Sequence, residues 1–373
     1  SRDLPLEADR GLILDRNGVV LADNLTTTSL VLIPNQIKDK KKTTTLLADI
    51  LGVSYDEMKE HVFKETSIER VHPEGRRLSY DIAEKIADLK LDGVYLVKEA
   101  KRYYPYGNML SHSLGYVGID NQGLSGLELQ YDDYLTGKSG AIKYFSDAKG
   151  NKLNLSDIYV EPQDGMNISL TIDINIQKSL ERELDNVVDM FSPDMALAIV
   201  MDPNNGEILG IASRPDYDPN NYQDYTQEVL SRNLPIWASY EPGSTFKIIT
   251  TSAAVEEGVV DLNEDHFYDA GSVNVDGSTL RCWKAGGHGE QTFLQVLQNS
   301  CNPGFVKMGQ LLGKETLFDY IDKFGFGEKT GVDLNGEGKG IIFNLDQVGN
   351  VELATTAFGQ GVSVHQFNFL SYE

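Results

Sequence analysis

Apolar and polar positions divide the chain into two stretches of different character. In residues 10–33, two β-rich runs flank Asn17-Gly18. This pattern predicts a hairpin, because Asn-Gly readily takes the paired positive φ of a type I′ turn. Residues 43–66 and 79–90 have helical spacing instead, with Ile82, Ile86 and Leu89 on one face. Strands are predicted again near 93–98, 140–145 and 168–173, so this first part reads as mixed and extended. From Asp173 a helical pattern runs through Leu180, Leu184 and Val188, and Met195–Met201 follows as a fully apolar strand. Asp202–Gly206 is a tight turn and Glu207–Ser213 the returning strand. Pro215–Tyr225 is a polar loop. Ser239–Gly243 then breaks the chain before an apolar helix from about Thr245 to Glu257, with Gly258 as its C′ residue. The pattern describes a multidomain α+β protein, residues 1–165 forming a β-rich domain and residues 166–373 a second.

Length agrees with this division, since 373 residues exceed one compact core. Fifty-six acidic against thirty-three basic residues give a net charge of −23. A surface so acidic repels phosphate, which argues against nucleic-acid partners and polybasic membrane docking. The longest apolar run, Met195–Met201, falls far short of the ~20 residues that span a bilayer. Neither a signal peptide nor an internal repeat is present, and the chain as written reads as soluble, with room for a native anchor upstream of Ser1. Lys38–Lys42 reads as a solvated loop.

Candidate chemistry begins at Ser244-Thr245-Phe246-Lys247. Positions i and i+3 are neighbours on a helix face, and a serine in the first turn feels the positive end of the helix dipole. A lysine one turn deeper, among Phe246, Ile248 and Ile249, can lose pKa by desolvation and serve as general base. Alone the pattern is weak, since Ser146–Lys149 has the same spacing. Ser300-Cys301-Asn302 supplies a hydroxyl to relay a proton and an amide to hold the lysine. The tripeptide pattern recurs at Ser231–Asn233 and Ser272–Asn274; its context at Ser300 is a helical run, Gln291–Gln298, leading directly into it, with Pro303 following.

Arg10–Gly18, Gly123–Leu129, Tyr240–Lys247 and Ala354–Gly361, in that order over residues 10–364, resemble a class B penicillin-binding protein. The resemblance implies an elongated N-terminal pedestal, of dimerisation type, over 1–165. Over 166–373 it implies a transpeptidase domain of the penicillin-binding and serine β-lactamase-like fold, an antiparallel sheet with helices on both faces. It further implies a D,D-transpeptidase that cross-links peptidoglycan stem peptides and needs no catalytic cofactor. Ser244 would attack the penultimate D-alanine carbonyl, with its own N–H forming half of an oxyanion hole, and Lys247 would take its proton. Ser300 would pass a proton to the leaving D-alanine, and Asn302 would position Lys247 and the acyl amide. β-Lactams would trap the acyl-enzyme. The resemblance also implies an extracytoplasmic location, an N-terminal membrane helix absent from this chain, and a membrane glycan polymerase as partner. His266–Asp269, Arg281–Lys284 with Gly286–Gly289, and Asn335–Gly338 resemble the branch that acts in spore-cortex synthesis. A vegetative division or elongation transpeptidase, a β-lactam sensor and a non-catalytic scaffold are the alternatives.

The family's third motif, Lys-Thr/Ser-Gly on a cleft strand, is expected well after Phe358–Gly361, where twelve residues remain. Lys329-Thr330-Gly331 spells it but is followed by Val-Asp-Leu-Asn-Gly-Glu-Gly, which breaks too soon for a central strand. The chain is therefore expected to be incomplete at its C-terminus, with the third motif missing and its own activity uncertain.

His266, Asp269, Cys282 and His288 fall within twenty-three residues of a chain with six histidines and two cysteines. This donor set suits a structural Zn²⁺, with glycines at 286, 287 and 289 to wrap the backbone around it. A loop with solvated histidines and a buried cysteine, or a Cys282–Cys301 bridge, are the other readings of these residues.

Overall fold

A computed structural model describes residues 2–144 and 158–370. Ser146–Lys149 and the end of the 140–145 strand lie outside the described residues. Backbone contacts divide the chain into two units, Ser1–Glu181 with Asp216–Leu230, and Arg182–Pro215 with Ser231–Glu373. This division differs from a single cut at 165/166. It falls inside the helix Ile174–Phe191, and it returns the polar 216–230 stretch to the first unit. Tyr217 explains the return: it is fully buried, and its hydroxyl donates to Ser111 O at 2.9 Å while its ring meets His112 edge-on.

In the first unit the long strand Val20–Leu32 pairs antiparallel with Val94–Tyr103 through ten residue pairs, Asp23↔Tyr103 to Leu32↔Val94. Leu30 and Leu32 face the helices Lys40–Leu51, Tyr55–Val62 and Tyr80–Asp88, where Leu47, Met58, Val62 and Ile86 close a dry core. The pattern over 43–66 resolves into two helices because Gly52 takes the left-handed C-cap position at φ 69° and Ser54 opens the next with a capping box. The lysine run is not a loop: Lys40–Lys42 form the first turn of the first helix, capped by the Asp39 carboxylate on Lys42 N. At Asn17-Gly18 only Gly18 has positive φ (84°), so the turn is not type I′. The buried Asp15 reshapes it by accepting from the N–H groups of Asn17 and Val19, both at 2.8 Å. Glu128 is buried between Arg10 and Arg102, accepting at 2.8 Å and 2.6 Å, which ties three distant segments together.

In the second unit Ala196–Met201 and Ile208–Arg214 form the expected antiparallel hairpin. Every residue of Ala196–Met201 is only half-buried, so the apolar run reflects a strand that is not sealed on both faces. Among the described residues the strand pairs of the unit are this hairpin, His266–Asp269 with Gly289–Thr292 and Ser272–Val275 with Ser278–Arg281, beside the isolated bridges Tyr240↔Val364 and Ile341↔Ser363. The rest is mainly helical. Its core joins Phe246, on a 3₁₀ turn, and Ile249 and Ala253 of the helix Lys247–Glu256 to Phe305, Val306 and Met308 of another helix, Asn302–Leu312. That packing sets the spacing of the site. No helix among the described residues is long and apolar enough to cross a membrane.

Candidate active site

Ser244 lies on a 3₁₀ turn, Gly243–Phe246, that runs directly into the helix Lys247–Glu256. Side chains at i and i+3 eclipse on such a turn, which brings Ser244 and Lys247 closer in projection than the expected α-helix would. Ser244 is exposed, and Lys247 is buried beneath it at 2% exposure. Gly258, at φ 64°, follows the helix end as its pattern requires.

Ser300-Cys301-Asn302 is the junction between the helices Phe293–Gln298 and Asn302–Leu312. Cys301 N donates to Val296 O and Ser300 N to Leu297 O, both at 3.0 Å, the paired bonds of a Schellman motif. Such a motif normally places glycine at its left-handed residue, but here that residue is Ser300, at φ 52°. The conformation costs a side-chain-bearing residue roughly 1–2 kcal/mol. It turns the Ser300 hydroxyl toward Ser244.

The side chains then connect. Lys247 Nζ donates to Ser300 O at 2.8 Å, Ser300 Oγ at 2.9 Å and Asn302 Oδ1 at 2.7 Å. Ser300 Oγ donates to Ser244 Oγ at 3.1 Å. All these partners of the amine are uncharged. Burial pushes the Lys247 pKa down to about 8, against a smaller opposing pull from Cys301 and Cys282. Asn302 is held by its amide N–H on Arg281 O at 3.2 Å. The four residues expected from sequence thus meet, with Ser300 standing between Ser244 and Lys247 as the hydrogen-bonded link.

A support that sequence reasoning missed is Gly359. Its carbonyl accepts from Gly243 N at 2.9 Å, and a Cβ there would lie 2.0 Å from Gly243 O. With φ at 81°, Gly359 lets the Phe358–Gly361 turn brace the backbone beside Ser244. Lys329-Thr330-Gly331 is a loop, as its sequence context indicates, and Glu337 binds it by accepting from Thr330 N at 2.7 Å and Gly331 N at 3.2 Å. Trp283 is exposed, its indole N–H donating to Asn299 O at 2.8 Å. Glu352 accepts from Gly349 N, a helix-capping role.

Of the four expected metal ligands, three meet and one does not. Asp269, Cys282 and His288 converge, and the fourth group beside them is Cys301. His266 is exposed, with its ring Nδ1 donating to Glu264 O at 3.0 Å. The reason is strand geometry: His266 and Asp269 are three apart on one strand, so their side chains leave opposite faces. Both cysteines are free thiols.

Comparison with known proteins gives this geometry its context. Residues 5–170 match the penicillin-binding protein dimerisation domain and residues 196–372 the penicillin-binding protein transpeptidase domain. Stage V sporulation protein D of Bacillus subtilis (strain 168) is 55% identical over 98% of this chain and 56% of its own length. Peptidoglycan D,D-transpeptidase FtsI of Escherichia coli (strain K12) is 30% identical over 96% of this chain and 61% of its own. The chain therefore spans little more than half the length of these relatives. The crystal structure of penicillin-binding protein 2X from Streptococcus thermophilus superposes with a TM-score of 0.75 at 26% identity, covering 99% of this chain and 58% of that one. Matched along nearly its whole length by a dimerisation region, a transpeptidase region and full-span relatives, the chain belongs to the class B penicillin-binding proteins.

Proposed function

We propose that this chain carries the acylation machinery of a serine D,D-transpeptidase that cross-links peptidoglycan stem peptides and is acylated by β-lactams. The observation that carries the reading is the hydrogen-bonded series Ser244–Ser300–Lys247–Asn302 around a buried amine whose pKa burial lowers to about 8. With Lys247 neutral, its lone pair can face Ser300 Oγ, and the proton leaving Ser244 Oγ passes through that hydroxyl to the amine. Ser244 Oγ then bonds to the penultimate D-alanine carbonyl carbon, with the Ser244 N–H donating to the oxyanion. Reversal of the relay returns the proton to the departing D-alanine nitrogen as the C–N bond breaks. Attack by an acceptor amine on the resulting ester completes the cross-link and frees Ser244.

The identity to a relative named for stage V of sporulation supports a role in spore-cortex synthesis over vegetative division or elongation. Family membership supports an extracytoplasmic site of action, an N-terminal membrane anchor and a membrane glycan polymerase as partner. The test is Ser244→Ala in the full-length protein. Loss of cross-links from the product wall, with the protein still folded and present, is expected; retained cross-linking would favour a scaffold.

A further inference from the structure

Arg281, Trp283 and Lys284 belong to a motif of the sequence that the acylation residues do not use. Arg281 ends the strand Ser278–Arg281, which pairs with Ser272–Val275 in the register Ser272↔Arg281 and Val273↔Leu280. Val273 and Leu280 pack against the core of the unit, and Cys282 is buried. Strand alternation therefore puts Arg281 on the opposite face, where it is exposed. Trp283 and Lys284 follow it as exposed residues.

This exposed segment borders the acylation site. Arg281 O accepts from Asn302 Nδ2 at 3.2 Å, and Asn302 Oδ1 accepts from Lys247 Nζ at 2.7 Å. Two residues on, the Trp283 indole N–H donates at 2.8 Å to O of Asn299, the residue before Ser300. Residues 281–283 are thus pinned at both ends to the turn that carries Ser300 and Asn302. Neither Arg281 nor Lys284 has an ion-pair partner among the described residues, in a chain with fifty-six acidic side chains against thirty-three basic. Two unpaired cations beside the acylation residues are a local exception to a surface whose field repels anions.

We infer that Arg281 selects donor stem peptides bearing a carboxylate on the side chain of the residue before the penultimate D-alanine, as in a diaminopimelate-type residue. This rests on the transpeptidase reading and names a feature of its substrate. In that reading Asn302 meets the amide joining this residue to the D-alanine that acylates Ser244. The residue's side chain therefore leaves the peptide next to Asn302, whose amide rests on the backbone of Arg281. A planar guanidinium receives a carboxylate through two parallel N–H···O bonds, whereas a carboxamide offers one acceptor and no charge. Lys284 adds a second positive charge to the same exposed segment, without the guanidinium's fork geometry.

The experiment gives the full-length protein two donor peptides, acetylated diaminopimelyl-D-alanyl-D-alanine and its side-chain carboxamide, and reads kcat/KM for D-alanine release. Wild type should favour the carboxylate about fivefold, the scale of an exposed ion pair. Arg281→Ala should bring the ratio to about one and Arg281→Lys should restore part of it, whereas a merely structural role would change both rates together. Should Arg281→Ala fail to fold, wild type carries the test alone, because its ratio should shrink from ~0.05 to ~0.5 M salt as the ion pair is screened. A wild-type ratio near one, a ratio that salt leaves unchanged, or one that survives Arg281→Ala overturns the inference. Penicillin treatment of the same preparations separates the two readings. Ser244 modified without any carboxylate preference overturns the role of Arg281 alone; neither modification nor D-alanine release overturns both.

Discussion

Ser300 Oγ donates to Ser244 Oγ across 3.1 Å, from a residue held in left-handed backbone at φ 52°. The local conformation is unfavourable and the contact depends on it, which separates what the hydroxyl does from what the backbone costs. Ser300→Ala and Ser300→Gly both delete the hydroxyl, and both should lose most of the acylation rate. Ser300→Gly relieves the left-handed strain but loses more backbone entropy on folding, so it should be the more stable of the two by up to about 1 kcal/mol. A Ser300→Gly variant clearly less stable than Ser300→Ala would show that the strain is not there.

Lys247 acts as a base only when neutral. Burial lowers its pKa to about 8, so the neutral fraction rises about tenfold per pH unit below that value and levels off above it. The second-order rate of acylation by a penicillin should climb from pH 6 to 8 and flatten beyond. A profile that is flat from pH 6 to 8 would exclude Lys247 as the proton acceptor. Lys247→Arg, which cannot be deprotonated in this range, should abolish the rise.

Gly359 braces the turn that carries Ser244 through its carbonyl on Gly243 N. In Gly359→Ala the new Cβ meets Gly243 O and displaces the Ser244 backbone. A shift near 1 Å in a reacting group lowers rate by about 10²-fold, so acylation should fall well beyond the loss in thermal stability. Parallel small losses in both would reduce Gly359 to an ordinary packing residue.

In the first unit, Glu128 is fully buried between two guanidinium groups. Glu128→Ala leaves Arg10 and Arg102 buried without that carboxylate and should destabilise the unit by about 3–5 kcal/mol in urea titrations. A change below about 1 kcal/mol would mean that Asp132 and backbone carbonyls satisfy Arg10, and the Asn24 side-chain oxygen Arg102, without the carboxylate.

Much of this was legible in the sequence because it rests on short-range signals. The Ser244–Lys247 spacing, the run into Ser300 and the broken segment after Lys329 are local patterns, and the side chains meet as those patterns indicate. What escaped was tertiary or depended on backbone sign. His266 looked like a ligand by proximity along the chain, but strand alternation sends it away from Asp269. Cys301 replaced it because the helix junction folds back onto that strand, a contact that no spacing rule encodes. Asn17-Gly18 promised a type I′ turn until Asp15 offered its carboxylate to the turn's own N–H groups. The boundary near 165 could not foresee Tyr217, whose burial returns a distant polar stretch to the first unit.

The most direct test of the central claim is the intact mass of this chain after incubation with a penicillin, followed by peptide mapping. The account predicts one adduct per chain, located on Ser244 and absent from Ser244→Ala. An adduct on another residue, or none on a folded chain extended to the full length of its relatives, would contradict it.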